Sequence, residues 1–251
     1  MLRATTCLGG ILLAWSVTLA GGSGDSLQST RAVTLPADVP VRIHVDVGSV
    51  RVTGSTRPDV VVRIERRATG TAGLDALQER VDVTDAGLNI SVTSRDRPHD
   101  AALTAAVHVE LPAGQPLDNI ELFEGAVHVA GLTGPVRATV TRGTIEASEV
   151  SGRLRLETSM GTIAVRHSRA TLTNPIRLRT FNGDIDLVLP AAVPNARILA
   201  LALNGTVTSE VPLTERTVVG PRFREATRGS GDPVVSLDAV NGSIRIASRA
   251  R

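Results

Sequence analysis

Hydrophobic and polar residues alternate along most of this chain, with glycines at the interruptions. From Leu154 to Thr158 every second side chain is apolar or small, and the alternation resumes from Ile163 to Val165 after Gly161. Because successive side chains of a strand point to opposite faces, a period of two predicts strands with one buried face. We therefore predict an all-β protein built from strand, tight turn, strand units.

A five-residue phrase recurs in the second half of the chain: glycine, a small residue, Ile or Val, any residue, then a small or apolar residue. The turn glycines that begin its copies are Gly125, Gly143, Gly161, Gly183, Gly205 and Gly242. The first five lie 18, 18, 22 and 22 residues apart, and the sixth follows after 37. Regular spacing of this size indicates stacked repeats.

Three of these glycines follow an asparagine, at Asn182-Gly183, Asn204-Gly205 and Asn241-Gly242. Both residue types accept the positive φ of a tight corner, and we expect it at these three glycines. Stacked units would share a narrow core, so we predict a β-solenoid, or β-helix-like stack, over residues 117–251. Asn-Gly also closes antiparallel hairpins, which leaves an antiparallel β-meander as the alternative.

Residues 30–116 form a less regular, β-rich portion that we assign to the same fold. An early copy of the phrase begins at Gly48, and further strands are predicted from Val60, Leu88 and Ala105. A short helix or long turn is expected from Gly73. The polar residues 95–100 predict a mobile loop.

The segment from Leu213 to Asp232 interrupts the repeats with glycine, proline and arginine. We expect a loop rich in arginine there, and such insertions are a frequent place for binding in repeat proteins. A disordered arginine-rich loop without a function is the alternative. The strand pair from Val234 to Ile246 resumes the pattern and is expected to cap the stack.

The N-terminus predicts a signal peptide over residues 1–20. Arg3 precedes an apolar run from Leu8 to Leu19, and Ala20 ends a small-x-small cleavage site. The run is short for a membrane span, although an uncleaved anchor is the alternative. We expect the mature chain to lie in the periplasm or at the cell exterior, without a transmembrane segment. Removal of Cys7, the single cysteine, would exclude disulfides and thiolate metal sites.

Charge and aromatic content argue against nucleic-acid binding. The computed isoelectric point is about 9.8, but Lys is absent, and without Arg3 the 27 basic residues become 26 arginines against 25 acids. Phe123, Phe181 and Phe223 are the three phenylalanines, and there is no tyrosine. Because the arginines are dispersed and few aromatic residues could stack on bases, the sequence predicts no binding surface for DNA or RNA.

Carboxylates and histidines offer weak candidates for chemistry. Asp184 and Asp186 share one strand face, and Glu146 falls in the same column two units earlier, so Glu146 and Asp186 would lie about 10 Å apart. That separation approaches the distance between the two carboxylates of an inverting glycosidase. Asp184 and Asp186 alone would leave most of the oxygen ligands of a calcium ion unassigned. We predict no catalytic residue, no metal site and no cofactor. The histidines His44, His108, His128 and His167 are expected to be solvated at the surface.

Arg137, Arg155 and Arg177 occupy the same outward position in three successive units. Such residues can form a solvated face whose stems cover apolar strand. They can also form an anion-binding stripe for an acidic envelope polymer or an envelope protein. We keep the stripe as the candidate binding site.

The repeat phrase, Gly131-Leu-Thr-Gly-Pro-Val and the closing Asn241-Gly-Ser-Ile-Arg-Ile carry a resemblance that covers Val33 to Ile246. They resemble a bacterial family of β-strand-repeat proteins called putative adhesins, a domain of unknown function usually found behind a signal peptide or membrane anchor. Asparagine is replaced before Gly48, Gly143 and Gly161, which argues against a full asparagine ladder. The resemblance implies a secreted, non-enzymatic interaction or structural module of the cell envelope. A polysaccharide-acting enzyme on a β-helix scaffold is the alternative.

Overall fold

The computed structural model describes residues 16–22, 24–68, 71–94, 103–168, 172–190, 193, 195–216 and 222–249. Residues 1–15 of the expected signal peptide and the expected mobile loop at 95–100 lie outside the described residues. The protein is all-β with one short helix, and its strands belong to one large mixed sheet. The all-β prediction is confirmed.

The described residues of the first part of the chain form seven strands and the helix. They are β1 (Ser16–Gly22), β2 (Gly24–Thr34), β3 (Val41–Ser55), β4 (Asp59–Ala68), α1 (Thr71–Ala76), β5 (Leu77–Thr84), β6 (Gly87–Ser94) and β7 (Thr104–Pro112). The helix lies where a short helix or turn was expected.

In the second part, the residues that the structure describes form twelve strands. They are β8 (Leu117–Ala130), β9 (Val136–Val150), β10 (Leu154–Met160), β11 (Ile163–His167), β12 (Ile176–Asn182), β13 (Ile185–Leu189), β14 (Ala196–Asn204), β15 (Val207–Ser209), β16 (Thr214–Arg216), β17 (Arg222–Arg228), β18 (Val234–Asn241) and β19 (Ile244–Ser248).

Corresponding strands of the repeats pair in parallel and in register. Each repeat has a first arm before its glycine and a second arm after it. The first arms pair in the order β8, β9, β10, β12, β18, β14, and the second arms in the order β8, β9, β11, β13, β19, β15. Equivalent residues of different repeats therefore stand side by side in columns.

The last repeat lies between two earlier repeats in the sheet, so the expectation that it caps the stack is wrong. Strand β18 pairs with β12 on one side and with β14 on the other, and β19 lies likewise between β13 and β15. Beyond β14 the sheet continues with β17 and then β16, both in antiparallel pairing. The segment expected to be a loop thus supplies two strands, because it covers the open edge of β14.

The first part of the chain joins the same sheet through β3, which has two arms like the repeats. Its first arm pairs in parallel with β6 and its second with β7, while both arms pair in parallel with β8. Antiparallel strands β4, β2 and β1 follow β7, and β5 follows β6.

The core follows the alternation read from the sequence. Leu154 and Leu156 of β10 are buried, as are Ile163 and Val165 of β11, whereas Arg155 between the two leucines is exposed. Stacked Val, Ile, Leu and Ala side chains continue this core from Val33 to Ile246. The buried area arises between the repeats, because one unit has no second layer of its own.

The glycine column at the corners has a steric cause. A Cβ built at Gly161 would overlap the carbonyl oxygen of Gly143, and the same clash recurs from one repeat to the next. The φ angle is +145° at Gly183 and +159° at Gly242, a region that disfavours side chains. Gly205 does not have the positive φ expected for it. Glycine is required there because a Cβ would overlap the carbonyl oxygen of Gly242.

Candidate functional site

Three arginines form one column on the outer face of the first arms. Arg155 stands opposite Arg137 on one side and opposite Arg177 on the other. All three are exposed, and neighbouring strands of a sheet lie about 4.8 Å apart. We call this column the arginine stripe.

The guanidiniums of the arginine stripe differ in their partners. Arg155 Nε donates to Glu157 Oε1 at 2.9 Å, so its charge is partly neutralised. Arg137 and Arg177 form no hydrogen bond or ion pair with any residue that the structure describes. The N–H donors of Arg137 and Arg177 are therefore available to a ligand.

A depression of about 360 Å³ adjoins the arginine stripe and is lined by Glu157, Arg179 and Phe181, with Thr139, Thr158 and Ser159. Phe181, one of the few aromatic residues in the sequence, is 54% exposed. Its position could have been found from the alternation, because Phe181 shares the outward parity of Arg177 and Arg179. The depression thus combines a cation, a carboxylate and an aromatic ring. Phe123 on β8 is a second exposed ring of the first arms, and the Arg142 guanidinium lies 5.5 Å from its centre.

Glu146 and Asp186 of the second arms lie in one column, as their spacing in the sequence predicted. Glu146 lies opposite Ala164, which lies opposite Asp186, so one strand separates the two acids. Glu146 lines a depression on this face and Asp186 does not. Asp184 Oδ1 accepts from the backbone N–H of Ser243 at 2.7 Å and so holds the corner. Among the described residues, no group of three or more acids, histidines or cysteines is placed to hold a metal ion.

The histidines divide into two environments. His44 Nδ1 lies 3.1 Å from Glu121 Oε2, and His128 Nδ1 lies 3.1 Å from Glu146 Oε2, both on outer faces. His167 is 1% exposed, so its prediction as a solvated turn residue is wrong. It occupies the last inward position of β11, two residues after Val165, and the polar residues around it masked that parity.

The corner asparagines form a short ladder that the sequence did not predict as such. Asn204 Nδ2 donates to Asn241 Oδ1 at 2.8 Å, and Asn241 Nδ2 donates to Asn182 Oδ1 at 2.7 Å. The ladder spans the three repeats whose corners read Asn-Gly. It fixes the same repeat order as the strand pairing does.

A buried ion cluster holds the first part of the chain. The side chain of Glu79 is 6% exposed and lies 3.4 Å from Arg31 and 3.6 Å from Arg66, while Ser29 Oγ donates to it at 2.6 Å. These residues come from β2, β4 and β5, so the cluster ties together strands distant in the chain. We assign it to stability, because its carboxylate is enclosed by protein.

In the described part of the chain, no helix has the length and apolar character needed to cross a membrane.

Comparison with known proteins gives similarity at the level of structure only. No family model and no curated protein matches the sequence. A putative cell adhesion protein from Clostridium sporogenes matches with a TM-score of 0.48 and 10% identity, over 95% of this chain and 100% of that one. A putative adhesin from Bacteroides fragilis matches with a TM-score of 0.35 and 16% identity, over 88% and 97%.

A putative lipid binding protein from Parabacteroides distasonis matches with a TM-score of 0.30 and 12% identity, over 87% of this chain and 96% of that one. At these TM-scores no residue role is carried over. The solved structures similar to this chain thus include putative adhesins of bacterial origin, the family that the repeat phrase resembles.

Proposed function

We propose that this chain is an exported, non-enzymatic β-solenoid that binds an acidic polymer of the cell envelope through the arginine stripe. It would act outside the cytoplasm, in the periplasm or at the cell exterior, after cleavage of residues 1–20. That cleavage would also remove five of the seven residues of β1 from their pairing with β2. The binding site would be Arg137, Arg155 and Arg177.

The solenoid interpretation is supported by the pairing of equivalent arms. A stack of coils requires parallel, in-register pairing between successive repeats, as between Arg155 and both of its neighbours in the arginine stripe. We also infer that residues 30–116 and 117–251 are two portions of one fold. The support is the pairing of β3 with β8 along both arms.

The observation that carries the binding proposal is the register of the arginine stripe. A regular column of guanidiniums matches a polymer that repeats an acidic group, because one chain can contact several cations at once. Each exposed contact is weak, so affinity depends on multivalency and falls as salt rises. The lack of a partner for Arg137 and Arg177 among the described residues supports the proposal, since an internal partner would have to be displaced first.

A retention experiment tests this function. Wild-type protein is passed over immobilised poly(glycerol phosphate) at low ionic strength, beside a variant with Arg137, Arg155 and Arg177 all changed to Gln. We expect the wild type to be retained and the variant to elute with the void volume, at equal thermal stability. The matched control replaces three exposed arginines on other surfaces, Arg57, Arg80 and Arg245, and should be retained.

Equal retention of the stripe variant and the wild type would show that the arginine stripe is a solvated face. If the control variant loses retention to the same extent, the interaction depends on net charge alone. Capture of an envelope protein by the wild type, without retention on the polymer, would replace the polymer by a protein partner.

A further inference from the structure

A second depression, of about 420 Å³, lies on the outer face of the second arms. The strands beneath it are β3, β8, β9 and β11. The arginine stripe lies on the first arms, so the two features are separate. We call this feature the second-arm depression.

The register explains why the surface is concave here. One column runs Arg51, His128, Glu146, Ala164, and the next column runs Thr53, Ala130, Ser148, Arg166. Long side chains therefore stand along the first column from Arg51 to Glu146 and at Arg166. The small side chains of Ala130, Ser148 and Ala164 leave the space between them. The concavity results from side-chain size along two columns, and the backbone beneath it is continuous sheet.

The charges around the second-arm depression are unbalanced. Arg51 and Arg166 form no hydrogen bond or ion pair with residues that the structure describes. Glu146 is the one carboxylate of the lining, and it is engaged by His128 at 3.1 Å. Beyond Arg51 in the same column stands His108, and beyond Ala164 stands Asp186. Glu110, which stands opposite Thr53 in the next column, is paired with Arg63 at 3.1 Å. Two unsatisfied guanidiniums therefore face the same concavity.

The geometry points to a second binding site, for a short acidic saccharide of the uronic acid type, in the second-arm depression. A guanidinium binds a carboxylate through two parallel hydrogen bonds, which assigns Arg51 and Arg166 to the acidic groups. Glu146, Ser148 and Thr53 offer acceptors and donors for hydroxyl groups. The methyl groups of Ala130 and Ala164 present an apolar floor for the C–H face of a sugar ring.

The size of the second-arm depression favours an oligosaccharide over a single sugar. Arg51 on β3 and Arg166 on β11 are three strand spacings apart, about 14 Å between backbones. A ligand that engages both arginines must carry two acidic groups at separate points. A neutral sugar would leave both guanidiniums without a partner, so acidity is the basis of selection.

Calorimetric titration with tri-galacturonic acid tests the site, with maltotriose as the neutral ligand. We expect the wild type to bind the acidic trisaccharide only, and Arg51→Gln and Arg166→Gln each to weaken binding about tenfold. Ser148→Leu should also weaken it, because the larger side chain occupies the floor. Thermal melting should be unchanged in all three variants, since these side chains are exposed or half-buried.

Two controls separate this site from the arginine stripe and from net charge. Arg245→Gln removes one charge from the same face outside the second-arm depression and should leave the affinity unchanged. The triple stripe variant should bind tri-galacturonic acid like the wild type. No binding by the wild type, equal binding of maltotriose, or loss of binding only in the stripe variant would each overturn the proposal. If the triple stripe variant loses retention on the polymer but still binds the trisaccharide, both sites are confirmed independently.

Discussion

Asn241 donates from Nδ2 to Oδ1 of Asn182 at 2.7 Å, although 59 residues separate the two in the chain. The second neighbour of Asn241 is Asn204, whose Nδ2 donates to it at 2.8 Å. Asn241, the last of the three asparagines in the sequence, is thus the middle rung of the ladder. Its two bonds secure the last repeat between two repeats that precede it in the chain.

The middle rung should contribute more than an end rung. Asn241→Ala removes two side-chain hydrogen bonds and should lower the free energy of unfolding by about 1–2 kcal/mol, against about 0.5–1 kcal/mol for Asn204→Ala. Urea denaturation followed by far-ultraviolet circular dichroism measures both. Equal losses would show that the ladder adds nothing beyond the individual corners.

The glycine column predicts a graded response to a side chain. Gly161→Val places a Cβ against the Gly143 carbonyl at a φ of +145°, so we expect a loss of about 3 kcal/mol or more. Gly205→Val meets the same kind of overlap without a positive φ, and the neighbouring strand β15 pairs only with β19 among the described residues. This variant should lose only about 1–2 kcal/mol.

The exposed Thr208 on β15 supplies the control for both glycine variants. Thr208→Ala should change the free energy of unfolding by less than about 0.5 kcal/mol. Losses as large as those at Gly161 would mean that any change to these strands is damaging and that the corner has no special role.

The buried ion cluster predicts a large effect from a small change. Glu79→Gln keeps the shape but leaves Arg31 and Arg66 without their shared carboxylate, so the free energy of unfolding should fall by about 3 kcal/mol. The exposed pair of Arg80 and Asp82 is the matched control, and Asp82→Asn should cost less than about 0.5 kcal/mol. A comparable loss at both carboxylates would contradict the assignment of Glu79 to a buried structural role.

Export predicts a processed N-terminus. Intact-mass measurement of protein from the producing cell should give a chain that begins at or shortly after Gly21. Intact Met1 on protein recovered from the cytoplasm would overturn the proposed location.

The local pattern was sufficient to predict the strands and corners but not their order in the sheet. Alternation from Leu154 to Thr158 specifies a strand with one buried face wherever that strand is placed. The corners at Asn182, Asn204 and Asn241 carry the same residues, so nothing local states which of them are neighbours. Their order depends on the connection between Ser209 and Val234 and on the strands that this segment forms.

The two proposed binding surfaces were only partly predictable from the sequence. The arginine stripe follows from one position repeated in three similar units, and parity along β12 also places Phe181 on that face. The second-arm depression depends on side-chain size at equivalent positions of four strands, and Arg51 lies in the less regular first part of the chain. Its register to Arg166 is fixed only once β3 pairs with β8.

The position of the last repeat between two earlier ones also sets an order of assembly. A chain that emerges N-terminus first presents β14 and β15 before β18 and β19 exist. The open edge at β12 is then available to β14, which carries the same corner and the same alternation. Native assembly requires that this edge stay vacant, or that a premature pairing be undone, until the final residues arrive. The C-terminal segment therefore acts as a late insert, and a chain truncated before Val234 would close up with a different neighbour at that edge.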